Sequence, residues 1–115
     1  MKDIKAMTGD ASFKNMHFYK ANLADVEGTK QLWANITQDH GPVHILINNH
    51  AICLGKTVSE HSIERFKLTM DINFHSYVHL SMLFLDQAAI KDDPEGEGQR
   101  FHLCNVNSIA GHVTC

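Results

Sequence analysis

Three stretches of this 115-residue chain end in residues that could do chemistry. They are Asn22, then Asn48-Asn49-His50-Ala51, then Asn107-Ser108-Ile109-Ala110-Gly111. Amides and one hydroxyl among small residues form a polar shelf suited to hydrogen-bonding a nucleotide and a substrate oxygen. Ser108 supplies the one hydroxyl among them. A lone serine after a strand would more often only satisfy turn backbone. The nine histidines suggest metal chemistry, and His75 and His79 stand one helical turn apart. That segment lacks the glutamate of a His-Glu-x-x-His site, and a helical wheel groups both imidazoles with Asp86 on a solvated arc. We therefore expect no metal ligands.

The shelf exists only if the strands carrying it lie side by side, since an open α/β sheet binds ligands beyond the carboxyl ends of its strands. The chain alternates short apolar runs with longer helical patterns, as βαβ units with a parallel sheet do. We expect strands at 16–21, 43–47 and 101–106. His17, His44 and His102 fall within them as partly buried, hydrogen-bonded imidazoles. A first helix should start at the cap Asp25 and stop at Gly41-Pro42, with Val26, Thr29, Trp33 and Ile36 on one face. A second should start at the cap Ser59 and run through Ile63, Phe66 and Met70 into 72–90, with a bend at Asn73. Its stripes Tyr77, Leu80, Phe84, Ala88 and Phe74, Val78, Met82, Leu85, Ala89 make an apolar arc wider than one sheet face needs. The helix should touch a sheet and something else. Residues 91–99, acidic with Pro94 and two glycines, read as a surface loop.

Composition narrows the partners. Hydrophobic residues make up 43% and charged residues 20%, which fits one globular domain over 1–115. Ten basic against thirteen acidic residues leave a net charge of -3, the wrong sign for a nucleic-acid footprint or a polybasic membrane patch. Cys53, Cys104 and Cys115 form neither a disulfide framework nor a cysteine zinc site. With no secretory or membrane-spanning pattern, the expected location is cytoplasmic, with membrane association open for a longer parent.

In this order, the motifs resemble the middle of a short-chain dehydrogenase/reductase, nearest in wording to the hydroxysteroid and retinol dehydrogenase-like branch. Gly41-Pro42-Val43-His44-Ile45-Leu46-Ile47-Asn48-Asn49-His50-Ala51-Ile52 resembles the family's Gly-x-(Val/Ile)-Asp-x-Leu-Val-Asn-Asn-Ala-Gly-Ile stretch. Asp71-Ile72-Asn73 resembles its helix asparagine motif, and Asn107-Ser108-Ile109-Ala110-Gly111 its Ser-x-x-Gly segment. Tyr19-Lys20-Ala21-Asn22-Leu23-Ala24-Asp25 resembles the Asp-Val-x-Asp segment beside the adenine pocket. The resemblance implies an α/β fold, an incomplete Rossmann-like fragment of a doubly wound parallel sheet with about three strands and two main helices. It implies an oxidoreductase interconverting an alcohol and a carbonyl with NAD or NADP. Ser108 would bond the substrate oxygen, Asn73 would help hold a relay water, and Asn49 would tie the central strands together. Asn22, Asn48, Asn49, His50 and Ala51 would border the cofactor. In the resembled family the 72–90 helix packs subunit against subunit, so self-association or pairing with a full-length relative is expected, and a non-catalytic interaction module is the alternative function.

The departures shape the expectation as much as the matches. His50-Ala51 replaces Ala-Gly, placing an imidazole beside the cofactor and a Cβ where glycine permits unusual backbone angles. Asn22 replaces an aspartate and removes a charge. The residues given contain neither the glycine-rich Thr-Gly-x-x-x-Gly-x-Gly turn that cradles pyrophosphate nor the Tyr-x-x-x-Lys pair. Two strands that would separate 16–21 from 43–47 are also missing, a gap of ~14 Å at ~4.8 Å per strand spacing. The 115 residues alone are expected to be inactive.

Overall fold

A computed structural model describes residues 15–53, 55, 57–89 and 100–108. The acidic loop 91–99, Ile90, the Ile109-Ala110-Gly111 part of the serine segment and Cys115 lie outside the described residues.

Helix α1 (Val26–His40) begins where the sequence places it. The Asp25 carboxylate accepts from the Gly28 N–H at 3.0 Å, and a Cβ at Gly28 would stand 2.8 Å from that same carboxylate oxygen. At the other end Gly41 takes φ 80°, a left-handed conformation, and its N–H bonds to the Thr37 carbonyl before Pro42 stops the helix.

Strands β1 (Ile45–Asn48) and β2 (His102–Asn105) pair in parallel, Ile45 opposite His102 and Asn48 opposite Asn105. Flanking bonds from His102 N–H to the His44 carbonyl and from Val106 N–H to the Asn48 carbonyl, both 2.9 Å, extend the ladder. β1 starts two residues later than expected, where its ladder with β2 begins, and the Val43 N–H and carbonyl ahead of it are both taken by the Gln87 side chain.

Between the strands, a short 3-10 turn (Val58–Glu60) leads into α2 (Ile63–Met70). Its cap is Ser62 rather than Ser59: Ser62 Oγ accepts from the Arg65 N–H, whereas Ser59 lies in a turn closed by Thr57 and Glu60. The expected bend at Asn73 is a π-helical turn (Asp71–His75), in which the Ser76 N–H reaches back to the Asp71 carbonyl. Helix α3 (Ser76–Ala89) continues from it. The π turn inserts one residue into the helical repeat and so rotates α3 relative to α2.

Leu80 and Phe84 form the buried apolar centre, Phe84 only 2% exposed. Its ring meets Trp33 of α1 and Phe101 edge-on, at 6.4 and 6.0 Å between centroids. α1 thus packs against α3, and α3 lies on the face of the sheet that carries Asn48, whose amide contacts Ser81 of α3 at 3.4 Å.

The expected strand at 16–21 is not formed: the described residues give two strands, not three. Residues 16–22 run without secondary structure and are exposed, since no described strand lies beside them to satisfy their backbone. What anchors them is Tyr19, whose hydroxyl donates to Asp39 at 2.7 Å and lies 2.8 Å from the His40 ring nitrogen. The Asp39 carboxylate holds the Tyr19 hydroxyl above its ordinary pKa. His17, expected to be partly buried, is exposed and packs against His40 with the two rings tilted by 48°. His102 is exposed too, while His44 is half-buried and stacks on Phe101. Val26 is exposed, so the inner face of α1 is carried by Thr29, Trp33 and Ile36.

Candidate functional site

The carboxyl ends of β1 and β2 and the start of α3 enclose a cleft of about 550 Å³, lined by Asn49, Ala51, Asn73, Tyr77, Asn105, Val106, Asn107 and Ser108. Parallel pairing makes this possible, because both chains leave the sheet at the same end. Of the residues singled out in the sequence, Asn49, Ala51, Asn73 and Ser108 meet here. None of the lining side chains carries a charge.

Asn48 and Asn49 divide the work. Asn48 is 1% exposed and its Nδ2 donates to Asn105 Oδ1 at 2.8 Å, tying β1 to β2. The strand tie that the resemblance assigns to Asn49 is therefore made by its neighbour, and Asn49 is exposed at the cleft. The alternation follows from the pleat: Asn48, the last residue of the ladder, points toward α3. Its Oδ1 is buried with no partner among the described residues.

Asn73 is held by a reciprocal pair of bonds. Its Oδ1 accepts from the Ile52 N–H at 2.8 Å and its Nδ2 donates to the Ile52 carbonyl at 2.7 Å. The side chain thus mimics a strand neighbour and fixes the loop after β1 against the π turn. One amide hydrogen and one lone pair remain for a further contact.

His50 does not crowd the cleft. Its ring turns onto α3, where Nε2 meets Ser76 Oγ and the ring packs edge-on against Tyr77 at 4.6 Å. The Ser76 hydroxyl donates to the Ile72 carbonyl, which leaves its oxygen to accept from the His50 Nε2–H. Burial pushes the imidazole below its ordinary 6.5, with the Ile72 carbonyl pulling weakly the other way. Ala51 carries no strain either, since among the described residues no non-glycine residue has a positive φ.

Asn22 lies elsewhere. Its Oδ1 accepts from the Ala24 N–H and its carbonyl from the Asp25 N–H, so it builds the turn into α1. Of the residues expected to border a cofactor, Asn22, Asn48 and His50 are not in the cleft lining. Beside Ser108, the Asn107 Oδ1 accepts the Ser108 N–H at 2.8 Å, which orients the serine at the strand end.

Tyr77 and Asn105 are cleft residues that pattern reading passed over. Tyr77 belongs to the wide apolar arc of the helix, yet its hydroxyl donates to the His50 carbonyl at 2.8 Å. Asn105 carried a usable signal, an amide inside an otherwise apolar strand. Among the described residues no group of three or more His, Cys, Asp or Glu side chains could hold a metal ion, and Cys53 and Cys104 are exposed free thiols. Nor is any helix among them long and apolar enough to cross a membrane.

The family model for short chain dehydrogenases matches residues 2–115. Human epidermal retinol dehydrogenase 2 is 27% identical over 105 residues, which is 91% of this chain and 32% of that protein. An uncharacterised oxidoreductase of Saccharomyces cerevisiae is 24% identical over 102 residues, 89% of this chain and 31% of its own length. The chain therefore spans about a third of the curated relatives it matches. Among solved structures, a short-chain dehydrogenase from Novosphingobium aromaticivorans superposes with a TM-score of 0.84 at 23% identity, over 99% of this chain and 41% of that one. A metagenomic short-chain oxidoreductase in complex with NADP gives 0.74 at 18% identity, over 99% and 47%. At these identities the structural likeness speaks for the fold.

Proposed function

Because the chain belongs to the short chain dehydrogenase family, we propose that these residues form the substrate-oxygen side of a site that interconverts an alcohol and a carbonyl. The observation that carries this reading is the convergence of Asn49, Asn73 and Ser108 on one cleft at the carboxyl ends of two parallel strands. Ser108 donates to the substrate oxygen as charge builds on it. Asn73 holds the Ile52 loop and, with its remaining amide hydrogen and lone pair, contacts a water in the proton path. Tyr77, in the cleft lining, fixes the His50 carbonyl between the lining residues Asn49 and Ala51.

The family works with NAD or NADP. Asn49, Asn107 and Ser108 suit an uncharged ring or ribose, but among the described residues the cleft is lined by no cation and no glycine-rich helix start that would receive a pyrophosphate. These residues do not hold such a cofactor by themselves, and the 115-residue chain alone is inactive in this reading. Oxidation of NADH or NADPH with a panel of aldehydes and ketones tests that, and turnover proportional to pure chain would overturn it. The site itself is tested in a chimera that adds a glycine-rich βαβ unit and a Tyr-x-x-x-Lys segment from a working relative. There Ser108→Ala should lower turnover by ~10²-fold or more, the scale for one lost transition-state donor. An active chimera indifferent to that change refutes the role of Ser108.

A second reading is favoured by one feature. Phe74, Val78, Met82 and Leu85 follow one another along the outer side of the π turn and α3 and are 44% to 58% exposed. In that reading the chain associates through this stripe, with a second copy or a full-length relative, and light scattering at micromolar concentration distinguishes it from a monomer.

A further inference from the structure

We infer that Gln87 is a positioning residue for the strand-end cleft, although it stands at the opposite end of α3. Its side chain makes the same reciprocal clamp as Asn73. Gln87 Oε1 accepts from the Val43 N–H at 2.9 Å and Nε2 donates to the Val43 carbonyl at 2.8 Å. Asn73 does the same to Ile52. Val43 precedes β1 and Ile52 follows it, so the two amides grip the strand's approach and its exit. Along the helix they are separated by roughly 21 Å, at about 1.5 Å per residue from 73 to 87.

The cleft end of α3 is held by directional bonds, from Asn73 to Ile52 and from Ser76 and Tyr77 to His50. Leu80 and Phe84 are buried apolar groups, and apolar burial is non-directional. The Asn48–Ser81 contact is long, 3.4 Å. Beyond Tyr77, the short directional bonds that tie α3 to β1 and its flank among the described residues are therefore the two made by Gln87. A hold at the cleft end alone leaves the far end of α3 free to swing, whereas the Gln87 clamp fixes its tilt as well. Asn73 and Tyr77, which reach the cleft from the first turns of the helix, are thereby placed from its far end. Glutamine is the residue type required, because a carboxylate accepts from the Val43 N–H but cannot donate to its carbonyl.

The importance of this for catalysis rests on the cleft being the reacting site, as proposed above, but the test reads geometry and no turnover, so the two can fail separately. Peptide-resolved hydrogen–deuterium exchange compares the Ile52 amide with the amides of 80–84 in the full chain, in wild type, Gln87→Leu and Gln87→Glu. Loss of remote positioning should speed Ile52 exchange about tenfold relative to 80–84 in Gln87→Leu, and less in Gln87→Glu, which keeps the acceptor. Where Gln87→Leu does not fold, Gln87→Glu is judged by the same ratio. A merely structural role would speed both regions alike. That result, or an unchanged Ile52 amide, would overturn the inference.

Discussion

The two sides of α3 differ sharply. The inner side carries Ser76, Leu80 and Phe84, all buried, and adds directional bonds from Ser81 and Gln87 to β1 and its flank. The outer side carries Phe74, Val78, Met82 and Leu85, as apolar as the inner one but uncovered. Hydrophobicity alone therefore does not decide which side is core. The inner side is core because it adds polar groups whose partners exist only on β1 and around it. The outer side has no such partners among the described residues, which is why it is the candidate for association.

Substitutions can break this contrast. Phe84→Ala should cost about 3–5 kcal/mol of stability, the range for emptying a buried aromatic site. Phe74→Ala should cost well under about 1 kcal/mol at its exposed position, and paired urea denaturation curves would measure both. Equal effects would mean that the outer side is also packed. Phe84→Glu should unfold the chain rather than solubilise it.

Removing the inner polar tie should have a smaller effect. Asn48→Ala removes the tie to Asn105, whose exposed side chain can turn to water, and should cost about 0.5–1.5 kcal/mol, read as a shifted urea midpoint with an unchanged slope. Met82→Glu should leave that midpoint nearly unmoved yet lower the scattering mass if the outer side drives association. A mass unchanged by Met82→Glu would remove that side from consideration.

The mildest test uses pH. Burial holds His50 below 6.5 in the folded chain, so unfolding takes up a proton in acid. Its contribution is complete above the unfolded value of about 6.5 and declines as pH falls through and below it. His50→Gln should flatten that part of the stability profile, and an unchanged slope would place the sensitivity elsewhere.

Much of this was legible in the residues themselves. Asp25 and Gly41-Pro42 bound α1 because capping is local: a carboxylate three residues from its N–H and a glycine free to take positive φ need no distant partner. The order of the Asn48-Asn49, Asn73 and Ser108 motifs marked the strand ends and the family for a similar reason, since spacing along a chain survives without coordinates. The tertiary structure decided the rest. Which asparagine ties the strands and which faces the cleft depends on the pleat and on β2 lying beside β1 with Asn105 opposite Asn48, a partner 57 residues away. Residues 16–21 have the composition of a strand, yet a strand is defined by its neighbour and none of the described residues supplies one. Tyr77 reads as apolar until the His50 carbonyl is beside its hydroxyl. Local backbone preferences are written in the sequence, whereas partners for side-chain amides and hydroxyls appear only when distant segments meet.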